Sequence, residues 1–135
     1  MLKKYPDKVK LVFKDFPLRN HKYAKKAAAA ALAADRQGQF WDYQDRLFKN
    51  FNRLSDQKIQ EIARELGLDD VQFQKDMNDT KLLAKISRDI QDGNNAGVRG
   101  TPTVFVNGRL LRQRSLQGFQ TMIDKELKKM NKEDE

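Results

Sequence analysis

The sequence predicts an α/β chain: one N-terminal strand, about four or five helices, a C-terminal β-hairpin and a closing helix. Three observations carry this. The stretch "KVKLVFKDF" alternates apolar residues with lysines, the mark of a strand with one buried face. Through the middle of the chain, apolar residues recur at helical spacing, punctuated by Gly38, Gly67 and Gly93. The last third then returns to short apolar runs on either side of Asn107-Gly108, a strong hairpin signal because both turn residues need positive φ.

The elements follow in order. In the first strand, Lys8 to Phe16, Val9, Leu11 and Phe13 face one way and Lys8, Lys10 and Lys14 the other; lysines suit a sheet edge. Pro17 stops it. Asn20 is placed to cap a helix from about His21 to Asp35, whose alanine run has the highest intrinsic helix propensity. Beyond Gly38, Phe40, Trp41, Leu47, Phe48 and Phe51 fall on helical spacing and are expected to form the aromatic heart of the core. Ser55 caps a helix with Ile59, Ile62, Ala63 and Leu66 as its stripe, ended by Gly67. Asp69 or Asp70 caps a shorter helix carrying Val71, Phe73 or Gln74, and Met77. Leu82, Leu83, Ile86 and Ile90 mark another, fading into Gly93-Asn94-Asn95. Thr103 to Val106, apolar on both faces, reads as an interior strand, with Leu110 to Arg114 returning after a type I′ turn. Ser115 caps a last helix with Leu116, Phe119, Ile123, Leu127 and Met130 on one face, and a frayed tail is expected from Asn131. The lone first strand and the hairpin are expected to share one sheet, or the first strand's apolar face stays wet.

Composition bounds the function. At 135 residues the chain is one ordinary domain. Its longest uncharged run, Ala27 to Ala34, is too short to span a bilayer, and no apolar segment follows the lysine-rich N-terminus as in a signal peptide. Zero cysteines exclude disulfides, thiol catalysis and thiolate metal sites for this chain. The net charge of +8 is uneven: residues 1–26 carry +7, residues 27–98 carry −2, and residues 99–115 hold four arginines and no acid. Such a surface attracts nucleic acid, anionic lipid or acidic proteins, although a solvated lysine-rich surface is the plainer reading.

Candidate constellations weigh unequally. "IQEIARELGLDDVQFQKDM" has helix-turn-helix spacing at Ala63 and Gly67, but its second helix carries Asp69, Asp70, Asp76 and Asp79 against Lys75 alone. Phosphates repel such a helix, and Asp76 falls where that motif buries an apolar residue, so no specific nucleic-acid partner is expected. His21 has no second imidazole or thiol near it, so no metal and no cofactor is expected. Asp69-Asp70 reads as a cap, and Asp42 and Asp45 as solvated. Phe40 and Trp41 suit the core better than a peptide groove. Arg99, Arg109, Arg112 and Arg114 flank the hairpin, where an acidic partner and a solvated strand face explain them equally well.

"VKLVFKDFPL", "AKKAAAAALAADRQGQFWDYQDRLF" and "GVRGTPTVFVNGR" together resemble the DsbA-like thiol-disulfide oxidoreductases, across about residues 5 to 130. The resemblance implies a thioredoxin-like fold, residues 1–19 and 98–130, interrupted by a helical insertion, residues 20–97. It implies that Pro102 is cis, preceded by Thr101, in a loop that binds extended polypeptide; Gly100, Thr101, Pro102 and Thr103 are the candidate binding residues and no residue is assigned a catalytic role. In that family a strand and a Cys-x-x-Cys segment precede the region matching "KYPDKVKL", so the chain reads as a truncated member with a small residual sheet. Without a thiolate the chain alone cannot exchange disulfides. The expected function is a non-catalytic module binding a polypeptide or a second copy of itself, as a dimer or domain swap through the vacant strand position. The alternative is the C-terminal piece of a disulfide oxidoreductase whose cysteine segment is supplied separately. Family membership implies a periplasmic setting; no membrane partner is expected.

Overall fold

Caps and glycines divide most of the chain into helices. In the computed structural model, which describes residues 3–17 and 23–133, these are α1 (Ala24–Asp35), α2 (Phe40–Lys49), α3 (Asp56–Glu65), α4 (Asp70–Met77), α5 (Thr80–Asn95) and α6 (Leu116–Glu133). The strands β1 (Phe105–Val106) and β2 (Arg109–Leu110) lie between α5 and α6. The chain forms two compact units: Lys14–Arg99, which holds α1 to α5, and Met1–Phe13 with Gly100–Glu135, which holds the hairpin and α6.

In the larger unit α1 is the central element, packed against α2, α3, α4 and α5. This explains its composition. Ala27, Ala29, Ala30, Ala31, Ala33 and Ala34 are all buried, and only a methyl side chain lets neighbouring helices approach from several sides. Around it lie Phe40, Tyr43, Leu47, Ile59, Ile62, Phe73, Leu82 and Ile86, all buried. Caps behave as the residues require. Ser55 Oγ accepts the Lys58 N–H at 3.0 Å, Asp69 accepts from Gln72 at 2.8 Å and Asp79 from Lys81 at 2.9 Å. Gly67, at φ +69°, ends α3 while the Leu68 N–H returns to the Ala63 carbonyl at 3.0 Å. The proposed cap Asn20 and the expected helix start at His21 lie outside the described residues; within them α1 begins at Ala24.

Several expectations are corrected. Residues 9–17 form no strand: Leu11, Val12 and Phe13 are exposed, and among the described residues the sheet consists of β1 and β2 alone. Alternation specifies which way side chains point, but a ladder also needs a paired backbone, and among the described residues none pairs with this segment. The interior strand expected at Thr103–Val106 is a two-residue edge strand with Phe105 exposed, for the same reason. Trp41, Phe48 and Phe51 are exposed rather than core, at 56%, 65% and 74%. The buried face of α2 is Phe40, Tyr43 and Leu47, so this helix is apolar on two sides and spacing alone does not choose between them. Val71 is exposed while Asp76 on the same helix is buried. Finally, α6 continues through Glu133 instead of fraying at Asn131.

The smaller unit is built on the hairpin and α6. Asn107 and Gly108 adopt φ +48° and +80°, the turn that pairs Val106 with Arg109 and Phe105 with Leu110. The Leu111 N–H continues the ladder to the Val104 carbonyl at 2.8 Å, and the Leu111 side chain is buried. Ser115 Oγ caps α6 by accepting the Gly118 N–H at 3.1 Å. Tyr5, buried, ties the N-terminal segment to α6 through its hydroxyl, which donates to Asp124 Oδ1 at 2.8 Å.

Candidate functional site

The loop Gly100 to Thr103 leads directly into the hairpin, so its position follows from the turn and the register. The Thr101–Pro102 peptide bond is cis. Two side chains hold the loop from either end. The Thr103 hydroxyl donates to the Gly100 carbonyl at 2.6 Å, closing a turn over Thr101 and Pro102. Arg114, on the far side of the hairpin, donates from Nη1 to the Pro102 carbonyl. Thr101 and Pro102 are exposed, whereas Gly100 and Thr103 are half-buried. The loop thus presents backbone and an apolar ring to solvent on a support fixed by hydrogen bonds. It brings no nucleophile, general base or metal ligand with it.

The four arginines have different surroundings. Arg114 serves the loop, and Arg109 pairs with Glu126 of α6 at 3.3 Å. Arg112 is exposed on the smaller unit, and Arg99 is exposed at the end of the larger. The role of Arg114 has no local signal, because it acts on a residue 12 positions earlier in the chain.

The larger unit contains buried charge at two places. Arg36 donates to Asp76 at 2.8 Å and to Asp79 at 2.7 Å, joining the end of α1 to α4 and to the residue that caps α5. The Gln72 side chain, followed by Arg36, holds the Asp76 carboxyl below the usual range; Arg36 does the same for Asp79. Asp76 therefore closes an ion-pair network at the position where a helix-turn-helix would bury an apolar residue. At the second place, Asp89 Oδ2 on α5 accepts the Asp15 backbone N–H and the Lys85 ammonium. Both networks span 40 residues or more of sequence, which is why neither carboxylate was legible as buried. Among the described residues no group of three or more His, Asp or Glu is arranged to hold a metal ion, and no helix is long and apolar enough to cross a membrane. His21, the one histidine of the sequence, lies outside the described residues.

Comparison with known proteins places this arrangement. The sequence profile of the family described as Thioredoxin matches residues 1–125. The chain is 33% identical to a probable disulfide bond formation protein D of Bacillus cereus, over 90% of this chain and 60% of that protein. It is also 37% identical to a Na(+)/H(+) antiporter NhaA of Salinispora tropica, over 75% of this chain but 16% of the antiporter. Among solved structures, a thioredoxin-like oxidoreductase from Silicibacter pomeroyi superposes with a TM-score of 0.71 at 28% identity, covering 88% of this chain and 68% of that one. The chain thus spans less than two thirds of the length of these curated relatives. With its helices inserted ahead of a small antiparallel hairpin, it belongs to the thioredoxin family as a DsbA-like thioredoxin-fold domain.

Proposed function

We propose that this chain is a non-catalytic polypeptide-binding module, with Gly100, Thr101, Pro102 and Thr103 as its contact surface. The observation that carries the reading is the loop itself: exposed at Thr101 and Pro102, and fixed by Thr103 and Arg114. A preorganised loop loses little conformational freedom on binding, so it suits contact with an extended chain. The chain has no cysteine, and thiol chemistry needs a thiolate. A second copy of the chain is a further occupant under this reading. Pro102→Ala should weaken binding of an unfolded polypeptide several-fold with helical content unchanged; undiminished binding would dispose of the reading. Size-exclusion chromatography with light scattering tests the second copy, and a monomer at every concentration counts against it.

A second reading is favoured by the similarity to disulfide bond formation protein D, of which the chain spans 60%. In it, this chain forms part of a disulfide oxidoreductase whose Cys-x-x-Cys segment is supplied separately. Sequencing the DNA upstream of Met1 and adding back any such segment in an insulin-reduction assay tests it. Activity that returns supports it; a flat trace sinks it. Ion transport is not part of either reading, since the stretch shared with the antiporters is 16% of their length.

A further inference from the structure

Asn107 is the one asparagine of this chain that precedes a glycine, and it sits at the exposed tip of the hairpin. The two groups that matter are the Asn107 carboxamide and the Gly108 backbone nitrogen. Gly108 has no side chain to shield that nitrogen, and no atom lies within 4 Å of where a Cβ would stand. The carboxamides of Asn50 and Asn78, by contrast, donate to the Arg46 and Gln74 carbonyls at 2.8 and 2.9 Å. A five-membered ring through Gly108 N and Asn107 Cγ needs the nitrogen eclipsed with Cβ. The type I′ turn, at φ +48° and +80°, does not give that geometry, so the turn must open first. Opening costs little here. Each strand is two residues long, and the ladder continues only to the Leu111 N–H on the Val104 carbonyl.

We propose that Asn107 is a modification site, where loss of the side-chain amide converts the turn to a β-aspartyl linkage and frees the Pro102 loop from Arg114. The Gly108 nitrogen attacks Asn107 Cγ; its proton passes to solvent, the C–NH2 bond breaks and ammonia leaves. The resulting five-membered imide takes up water at either carbonyl. Opening one imide bond restores the ordinary chain with aspartate at this position. Opening the other routes the backbone through the former side chain and lengthens it by one methylene. Water is the sole co-reactant, and nothing is oxidised or reduced. The lengthened turn no longer holds Val106 opposite Arg109, and the register that returns Arg114 to the Pro102 carbonyl goes with it. Either product also sets a carboxylate beside Arg109, in competition with Glu126. Glu126 then keeps Lys129, at 3.7 Å, as its ion-pair partner. The inference concerns the support of the loop and stands whatever the loop binds.

The test ages the full chain in mildly alkaline buffer, folded and in urea, and follows each asparagine by peptide mapping and mass spectrometry. Asn107 is expected to convert before any other asparagine of the folded chain, with β-aspartate among the products. Its rate should fall below that in urea by the protection factor of the Leu111 amide in hydrogen exchange, to within about threefold. Asp92-Gly93 can form the same imide but lies inside α5, and it should stay intact while the chain is folded. Asn107→Gly accepts positive φ and has no carboxamide, so it should age without change. In the aged parent the Thr101 and Thr103 amide signals should shift and Leu111 should lose protection; fresh Asn107→Asp, which adds the charge without the methylene, should keep both. An Asn107 that stays intact in the folded chain, or reacts after another asparagine, overturns the site. Conversion as fast folded as in urea, with Leu111 still protected, overturns the requirement for opening. Conversion that leaves Thr101 and Thr103 unmoved, or shifts already present in fresh Asn107→Asp, overturns the release of the loop by the lengthened turn.

Discussion

Asp89 grips the chain at Asp15: one buried carboxylate oxygen accepts the Asp15 backbone N–H at 3.0 Å and the Lys85 ammonium at 2.9 Å. The Asp15 side chain is buried beside it, with Oδ2 lacking a hydrogen-bond partner. Burial pushes the Asp15 carboxyl up to about 6; Lys85 opposes this and Asp89 reinforces it. A raised carboxyl binds its proton more tightly in the folded state, so this group costs stability as pH rises from about 4 to about 6. The cost at neutral pH is about 2 kcal/mol, allowing for partial solvent screening. Asp15→Asn keeps the shape and removes the titration. Urea midpoints measured from about pH 4 to about pH 7 should show the variant gaining on the parent as pH rises; parallel curves would refute this.

The Arg36 network has the opposite sign. Asp76 and Asp79 are held low, so the stability they contribute is present above the usual carboxylate range and lost as pH falls through their depressed values. Arg36→Gln leaves the Asp76 carboxylate buried with only Gln72 as its side-chain donor. The variant should be less stable than the parent at neutral pH, by less than the cost of breaking a fully buried pair because Arg36 is itself partly exposed. The deficit should shrink in acid. Thermal melts at both pH values check it, and a deficit that stays constant would contradict the ion-pair account.

Two glycines make a graded pair. A Cβ on Gly118 would lie 2.0 Å from the Gln113 carbonyl oxygen, whereas one on Gly93 would lie 2.8 Å from the Phe16 ring. The carbonyl belongs to the backbone leading into α6 and cannot yield; the ring can swing. Alanine also brings about 1 kcal/mol of helix propensity over glycine. Gly118→Ala should therefore destabilise the smaller unit by more than about 2 kcal/mol, while Gly93→Ala, compensated in part, costs less. Chemical denaturation followed by the resolved NMR signals of the Tyr5 ring and the Trp41 indole reports on each unit separately. The reverse ranking would show that the backbone before α6 is free to move.

Helices α3, α4 and α6 were the most legible part of the sequence because each is written twice, in apolar spacing and in a cap. Ser55, Asp69 and Ser115 act as those residue types demand. The strand at Lys8 to Phe16 failed because alternation describes one chain and a ladder needs two. On α2, the Tyr43 hydroxyl explains what spacing could not. It donates to the Ile59 carbonyl at 2.8 Å and fixes which side of the helix turns inward, leaving Trp41 outside. The loop at Pro102 was found through a string of residues that resembles a family. Its Arg114 anchor comes from across the hairpin and has no signature of its own.

The central claim, that a chain without thiols binds polypeptide at the Pro102 loop, is tested most directly by amide chemical-shift mapping. An isotopically labelled sample is titrated with an unfolded, cysteine-blocked polypeptide. The account predicts that the largest shifts fall on Gly100, Thr101 and Thr103. Shifts centred on the exposed aromatic face of Trp41, Phe48 and Phe51, with the loop unmoved, would contradict it.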